Sequence, residues 1–86
     1  MRAWIQDVLG QMKSKQQVQG VLRDLCQPYG EVITADVDLA ESRQVTCKIR
    51  MANQPAATSA AHWLGASAPD DDMIVLEYQA PTEFKS

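Results

Sequence analysis

The sequence has few of the features that identify an enzyme, a membrane protein or a nucleic-acid-binding protein. Its 86 residues include 8 lysines and arginines against 11 aspartates and glutamates, which gives a net charge of −3. This balance argues against a partner bound mainly through its phosphate backbone, because such binding rests on a basic surface. No stretch approaches the roughly eighteen apolar residues of a transmembrane helix. The first residues, MRAWIQDVLGQMKSKQQ, are too polar for a signal peptide, so we expect a cytoplasmic protein.

Side chains that commonly carry chemistry are also scarce. The two cysteines, Cys26 and Cys47, form neither a CxxC pair nor a metal-binding spacing, which predicts reduced, buried thiols. His62 is the only histidine, and no nucleophile stands at a readable spacing from it. The run Asp70–Asp72 does not match a calcium loop, and three consecutive carboxylates cannot all face one ion. The sequence therefore predicts no enzyme, no cofactor and no metal site.

What the sequence does contain is a β-hairpin pattern between Gly30 and Met51. The stretch reads GEVITADVDLAESRQVTCKIRM, two segments of alternating polarity around a short polar turn. Such alternation is typical of strands with one face buried and one face in water. The apolar positions that this predicts to be buried are Ile33, Ala35, Val37, Leu39, Val45, Cys47, Ile49 and Met51.

The register of the hairpin follows from the position of its turn. Centring the turn on Glu41 places Val37 opposite Val45, with further apolar pairs on either side of it. A slip of one residue would expose one strand's apolar set, so the faces are strongly specified.

Two helices and a further strand are predicted around the hairpin. Ser14 and Gln17 form a capping-box pattern at the start of an apolar stripe, which indicates a helix over 15–26. An alanine-rich segment predicts a second helix over about 55–64, ended by Gly65. We expect a polar loop over Ala66–Asp72 and a strand over 73–78. The chain then forms a single domain over 1–80, followed by a loose tail over 81–86.

Residues 2–12 allow two interpretations. Their apolar positions follow a helical spacing, yet Arg2–Val8 also suits a short strand. A strand would complete the order βαββαβ, the ferredoxin-like arrangement with an antiparallel sheet and two helices on one face. We adopt this two-layer α+β sandwich as the predicted fold. The alternative is an extra N-terminal helix followed by the order αββαβ.

Three segments then resemble RNA-recognition-motif domains. VLRDLCQPYGEV is similar to that family's first helix and second strand, AATSAAHWLG to its alanine-rich second helix, and IVLEY to its last strand. The resemblance implies the βαββαβ order and single-stranded RNA as a ligand, stacked on exposed aromatics of the third and first strands. Here the third strand, RQVTCKIRM, has no aromatic residue, and only Trp4 could serve on the first.

These observations leave three candidate functions. The first is a non-enzymatic interaction or assembly module that binds a protein partner or itself, through the open sheet face or an edge strand. Trp4 and Trp63 are alternative interface anchors, although we expect at least one of them to pack within the core. The second is weak binding of single-stranded RNA. The third is a small-ligand regulatory domain of the ACT type, although no glycine-rich ligand loop is present. The residues predicted to contact RNA or a partner are Trp4, Gln6, Lys48 and Arg50.

Overall fold

A computed structural model describes residues 2–70 and 72–85 and confirms the α+β class. The helices are α1 (Ala3–Gly10), α2 (Lys15–Cys26) and α3 (Gln54–Leu64), with a 3-10 helix over Gln27–Tyr29. The strands are β1 (Val32–Leu39), β2 (Gln44–Met51), β3 (Ser67–Asp70) and β4 (Met73–Gln79). They form one open antiparallel sheet in the order β1-β2-β4-β3. The helices pack on one face of this sheet and leave the other face in water.

The hairpin is confirmed, but its pairing differs from the predicted register by two residues. Val37 lies opposite Cys47 instead of Val45, and the turn is centred on Ser42 instead of Glu41. The cause is Arg43, which adopts a left-handed conformation with φ of 70°. A hairpin loop that ends in such a residue usually has glycine there, so the sequence carried no signal for this turn. A shift of two residues preserves the faces, and Val45, Cys47, Ile49 and Met51 are all buried as predicted.

Ile33 is the exception on the buried face, because 48% of it is exposed. The pairing of β1 with β2 is irregular between Val32 and Thr34, which bends the start of this edge strand. The prediction that Ile33 is buried is therefore wrong.

The helices α2 and α3 form where the capping signals place them. The Ser14 hydroxyl accepts a hydrogen bond from the Gln17 amide at 3.3 Å, and the Asn53 side chain accepts one from Ala56 at 2.9 Å. Gly65, in the left-handed conformation, ends α3. Each helix places one stripe in the core, Val18, Leu22 and Cys26 from α2 and four alanines with Leu64 from α3.

Residues 3–10 form the helix α1, so the predicted N-terminal strand and the βαββαβ order are wrong. The local helical spacing prevails: Ile5 and Leu9 are fully buried, and Trp4, Val8 and Met12 pack at the edge of the core. The place beside β2 that an N-terminal strand would take is occupied by β4. The alternative with an extra N-terminal helix is closer, but it lacks β3, which lies in the segment predicted to be a loop.

The C-terminal segment packs against the domain, in contrast to the predicted loose tail. Phe84 is 3% exposed and belongs to the core. The Arg43 guanidinium donates hydrogen bonds to the carbonyls of Pro81, Thr82 and Phe84. The Lys85 amide donates to the Lys13 carbonyl at 2.8 Å. The sequence pattern missed this segment because one buried aromatic has no periodicity.

None of the described helices is long and apolar enough to cross a membrane.

Phe84→Ala is expected to lower the free energy of unfolding by about 3–5 kcal/mol, because it removes a buried aromatic ring and leaves a cavity. Thr82→Ala, at an exposed position of the same segment, is the matched control and should change it by less than about 0.5 kcal/mol. Urea unfolding measures both. Equal small effects would mean that the segment is the loose tail that its sequence suggests.

Candidate functional site

Three of the chain's five aromatic side chains meet on the surface of the helical layer. We call Trp4, Tyr29 and Trp63 the aromatic cluster. The Trp63 ring lies between the other two, with its centroid 4.7 Å from that of Trp4 and 5.5 Å from that of Tyr29. The interplanar angles are 44° and 41°. These distances fall in the range in which aromatic pairs attract each other.

Each ring of the cluster comes from a different element. Trp4 lies on α1, Tyr29 ends the 3-10 helix, and Trp63 lies in the last turn of α3. The 3-10 helix can approach α3 because Gly30 follows it: a Cβ at Gly30 would stand only 2.6 Å from the Cβ of Ala56. The cluster is thus a product of the packing of three helices.

Arg2 joins α1 to the end of α3 beside the cluster. Its amide donates to the Leu64 carbonyl at 3.1 Å, and its guanidinium donates to the carbonyls of Trp63 at 3.0 Å and His62 at 3.2 Å. These are carbonyls that a helix leaves unpaired at its C-terminus, where a cation is also favoured by the helix dipole. The position of Trp4 against Trp63 is therefore held by hydrogen bonds as well as by ring contact.

The rings of the aromatic cluster are only partly buried. Tyr29 is 37% and Trp63 36% exposed, and Trp4 is half-buried. Tyr29 and Trp63 are two of the three large hydrophobic residues that the described part of the chain exposes, Ile33 being the third. Exposed tryptophan and tyrosine rings at one place are typical of protein-binding surfaces.

The structure divides the four predicted contact residues among three places. Trp4 belongs to the aromatic cluster. Gln6 lies on α1 and lines a groove with Asp7, Gly10, Tyr78 and Gln79. Lys48 and Arg50 lie on the open face of β2, on the other side of the sheet from α1. Sequence reasoning offered Trp63 as an interface anchor only beside core packing, and it missed Tyr29, whose only signal is its place in a Pro-Tyr-Gly turn.

The polar side chains of the open sheet face are of mixed charge and partly bonded to one another. The Arg50 guanidinium forms an ion pair with Asp72, with an N–O distance of 3.0 Å, and Gln44 donates to the Glu77 carboxylate. Asp36 stands opposite Lys48 in the register without forming an ion pair with it. Because carboxylates lie beside both cations, this face offers little to a phosphate backbone.

Both edges of the sheet carry features that disfavour the addition of another strand. On β1, the irregular pairing near Val32 bends the edge, and the Gln19 side chain donates to the outward Ala35 carbonyl at 2.9 Å. Asp36 and Asp38 add negative charge to the same strand. On the other edge, β3 has only four residues and includes Pro69, which lacks an N–H. It pairs with β4 as far as Val75, and beyond this point β4 itself forms the edge.

Two grooves deserve comparison with small-molecule sites. The larger, of about 540 Å³, lies between the start of α2 and the C-terminal segment and is lined by Lys13, Ser14, Gln17, Glu83 and Lys85. Ligand pockets of this size are mostly apolar with a few polar groups. This groove is lined largely by charged surface side chains, and Lys13 already pairs with Glu83 at 3.0 Å. The groove that Gln6 lines has a volume of about 460 Å³, and both grooves are open to solvent.

The titratable groups of the described residues do not form a reactive centre. Both cysteines are free and fully buried, and burial raises the pKa of Cys26 to about 11. Burial, with a smaller contribution from Asp38, raises the pKa of Cys47 to about 12. The Tyr78 hydroxyl is buried without a hydrogen-bond partner among the described residues, and burial and Cys47 raise its pKa above the usual range.

Metal binding and histidine chemistry find no supporting geometry in the described part of the chain. No group of three or more histidine, cysteine, aspartate or glutamate side chains comes together there. Asp71, in the middle of the acidic run, lies outside the described residues. His62 is exposed on α3.

No protein family, curated protein or solved structure matches the chain. The resemblance to RNA-recognition-motif domains therefore stays a prediction.

The two thiols are expected to make the free energy of unfolding fall at high pH. They titrate near 9.0 when accessible but at about 11 and about 12 when buried. Above pH 9 the unfolded chain has lost protons that the folded chain keeps, so stability is complete below pH 9 and decreases above it. The loss is about 1.4 kcal/mol per pH unit for each thiol.

The comparison that tests this is urea unfolding of the wild type and of a Cys26→Ala/Cys47→Ala variant between about pH 8 and about pH 10. Lysines and Tyr29 contribute equally to both proteins. Burial, which is the larger cause of the raised pKa of Tyr78, is present in both, so Tyr78 stays protonated in both folded proteins over this range and the difference in slope belongs to the thiols. Parallel slopes would show that the thiols titrate normally in the folded protein.

Proposed function

We propose that this protein is a non-enzymatic interaction module that binds a protein partner through the aromatic cluster. The observation that carries the proposal is the contact of Trp4, Tyr29 and Trp63 on one exposed surface of the helical layer. Aromatic residues in such a position contribute much of the binding energy of protein interfaces, because they bury large apolar area with few rotatable bonds.

The properties of the other surfaces support this choice. The open sheet face is of mixed charge, and one of its cations, Arg50, is paired with Asp72. At one sheet edge, the Gln19 hydrogen bond and the charges of Asp36 and Asp38 disfavour another strand. At the other edge, the short β3 covers the first part of β4. A homodimer built on the open face or an edge strand, as the sequence suggests, would have to overcome these features.

Binding of single-stranded RNA is the weaker proposal. It relied on Trp4 acting together with Lys48 and Arg50, and these side chains lie on opposite sides of the sheet. A base stacked on Trp4 would not have its phosphate within reach of either cation. Regulation by a small ligand is supported only by the two open grooves, and the larger of them is lined by Lys13, Glu83 and Lys85, with Lys13 and Glu83 already paired to each other.

The proposal predicts that peptides selected for binding will depend on the aromatic cluster. A random peptide library displayed on phage is selected on the immobilised protein, and the recovered peptides are then tested on variants. Binding should fall by at least about tenfold in Trp63→Ala and Tyr29→Ser, because each removes a ring of the cluster.

Ile33→Ser is the matched control, since it removes an exposed apolar side chain of similar exposure outside the cluster. It should leave binding unchanged, as should Lys48→Ala on the open face. Circular dichroism confirms that each variant is folded. Failure to recover peptides, or peptides that ignore Trp63 and Tyr29, would refute the proposed function.

A second expectation is that the protein alone is a monomer. Analytical ultracentrifugation at increasing concentration should give the mass of one chain, 9.5 kDa, with no dependence on Trp63→Ala. The reason is that the open face is polar and of mixed charge, and that the strands at the sheet edges are charged or short. A dimer that persists on dilution would indicate that the functional surface is the open sheet face or a sheet edge.

A further inference from the structure

We propose that the ligand of the aromatic cluster is a short, proline-rich segment of a partner protein, in the polyproline II conformation, with an acidic residue beside its prolines. This inference rests on the proposed function and adds the chemistry of the partner to it.

The first argument is the area that the cluster offers. Trp63 and Tyr29 are each exposed over slightly more than a third of their surface, and Trp4 over less. At 150–250 Å² for a whole aromatic side chain, the exposed part of the three rings amounts to at most roughly 250 Å². A stable interface between folded subunits needs roughly 800 Å² on each partner. The cluster is therefore sized for a short segment and is too small for a second copy of this chain.

The second argument is the conformation that such a segment must have. Peptides that add a strand need an open sheet edge, and the cluster lies on helices. Peptides that bind as a helix need an apolar groove, but Tyr29, Trp63 and the distant Ile33 are the only large hydrophobic residues exposed in the described part of the chain. A polyproline II segment requires only exposed rings, since it reaches the surface already extended and its prolines stack on aromatic faces.

The third argument is the spacing of the rings. The centroids of Trp4 and Tyr29 lie no more than about 10 Å apart, the sum of their distances to Trp63. In polyproline II, residues three positions apart lie on the same side of the helix and are separated by about 9 Å. This spacing lies within that limit, so two prolines three positions apart can contact two rings of the cluster. An aromatic cage around a cation is a poorer fit, because these rings contact one another.

The fourth argument is the charge beside the cluster. The Arg2 guanidinium uses two of its nitrogens on the Trp63 and His62 carbonyls and is held in place by them. An arginine has five N–H donors, so others remain for a ligand. A carboxylate next to the prolines would receive a charge-assisted hydrogen bond from a group that is already ordered. We therefore expect aspartate or glutamate there.

The experiment is a titration of the full chain with synthetic peptides, followed by tryptophan fluorescence and by the amide and indole signals in nuclear magnetic resonance spectra. The test peptide has prolines three residues apart and one terminal aspartate. One control peptide has alanine in place of the prolines, and a second has asparagine in place of the aspartate.

The expected result is saturable binding that shifts the indole signals of Trp63 and Trp4. Affinity should fall at least about tenfold with the alanine peptide and with Trp63→Ala or Tyr29→Ser, and severalfold with the asparagine peptide or Arg2→Gln. Ile33→Ser should bind as the wild type does. Because the Arg2 guanidinium also holds α1 against α3, Arg2→Gln should weaken both peptides, but it should weaken the aspartate peptide severalfold more than the asparagine peptide. Equal weakening of the two peptides would mean that Arg2 acts only by holding the cluster.

Equal binding of the proline and alanine peptides would overturn the inference. So would the absence of binding when peptides recovered from the display library still bind through Trp63, and in that case the proposed function stands. If neither the proline peptides nor the displayed peptides depend on Trp63, both are refuted. If a single-stranded RNA oligonucleotide shifts the Trp63 signal and no peptide does, the inference is overturned and the ligand of the cluster is stacked bases.

Discussion

Burial of one face of β2 is the constraint on which the other elements depend. This strand is paired on both sides, and Val45, Cys47, Ile49 and Met51 are all removed from water. Burial of such side chains contributes roughly 1.5–3 kcal/mol each, so any arrangement that exposed this face would be strongly disfavoured. The faces of β1 and β4 follow from their pairing with β2, and the helices are required to cover the result.

The composition of the helices decides how they cover that face and what they leave outside. The alanines of α3 and the missing side chain at Gly30 let α3 and the 3-10 helix come close together. Tyr29 and Trp63 lie at the surface beside this contact, where the Trp63 ring meets those of Tyr29 and Trp4. The candidate site is thus formed where α1, the 3-10 helix and α3 come together.

Local patterns allowed much of the fold to be predicted, whereas the site was predicted only in part. The bounds of α2, the cap at Asn53 and the buried face of β2 follow from spacing and capping, which act within a few residues. Residue type alone suggested Trp4 and Trp63 as interface anchors, as the alternative to packing of at least one of them in the core. Their contact was not predictable, because 59 positions separate them in the sequence and nothing local links α1 to α3. Lys48 was grouped with Trp4 only because an N-terminal strand was expected beside β2.

The sequence by itself determined α2, the hairpin, α3 and β4 and the apolar side of each, since periodicity and caps are local properties. It left residues 2–12 open between helix and strand and carried no signal for β3. Its negative net charge and its lack of reactive motifs also made phosphate-backbone binding and catalysis the least expected functions. Only the tertiary structure decided that β4 lies beside β2, that Phe84 returns to the core, and that the aromatic cluster exists. Strand order and contacts between distant helices are decided by competition among all segments for the same buried surface, which no local pattern records.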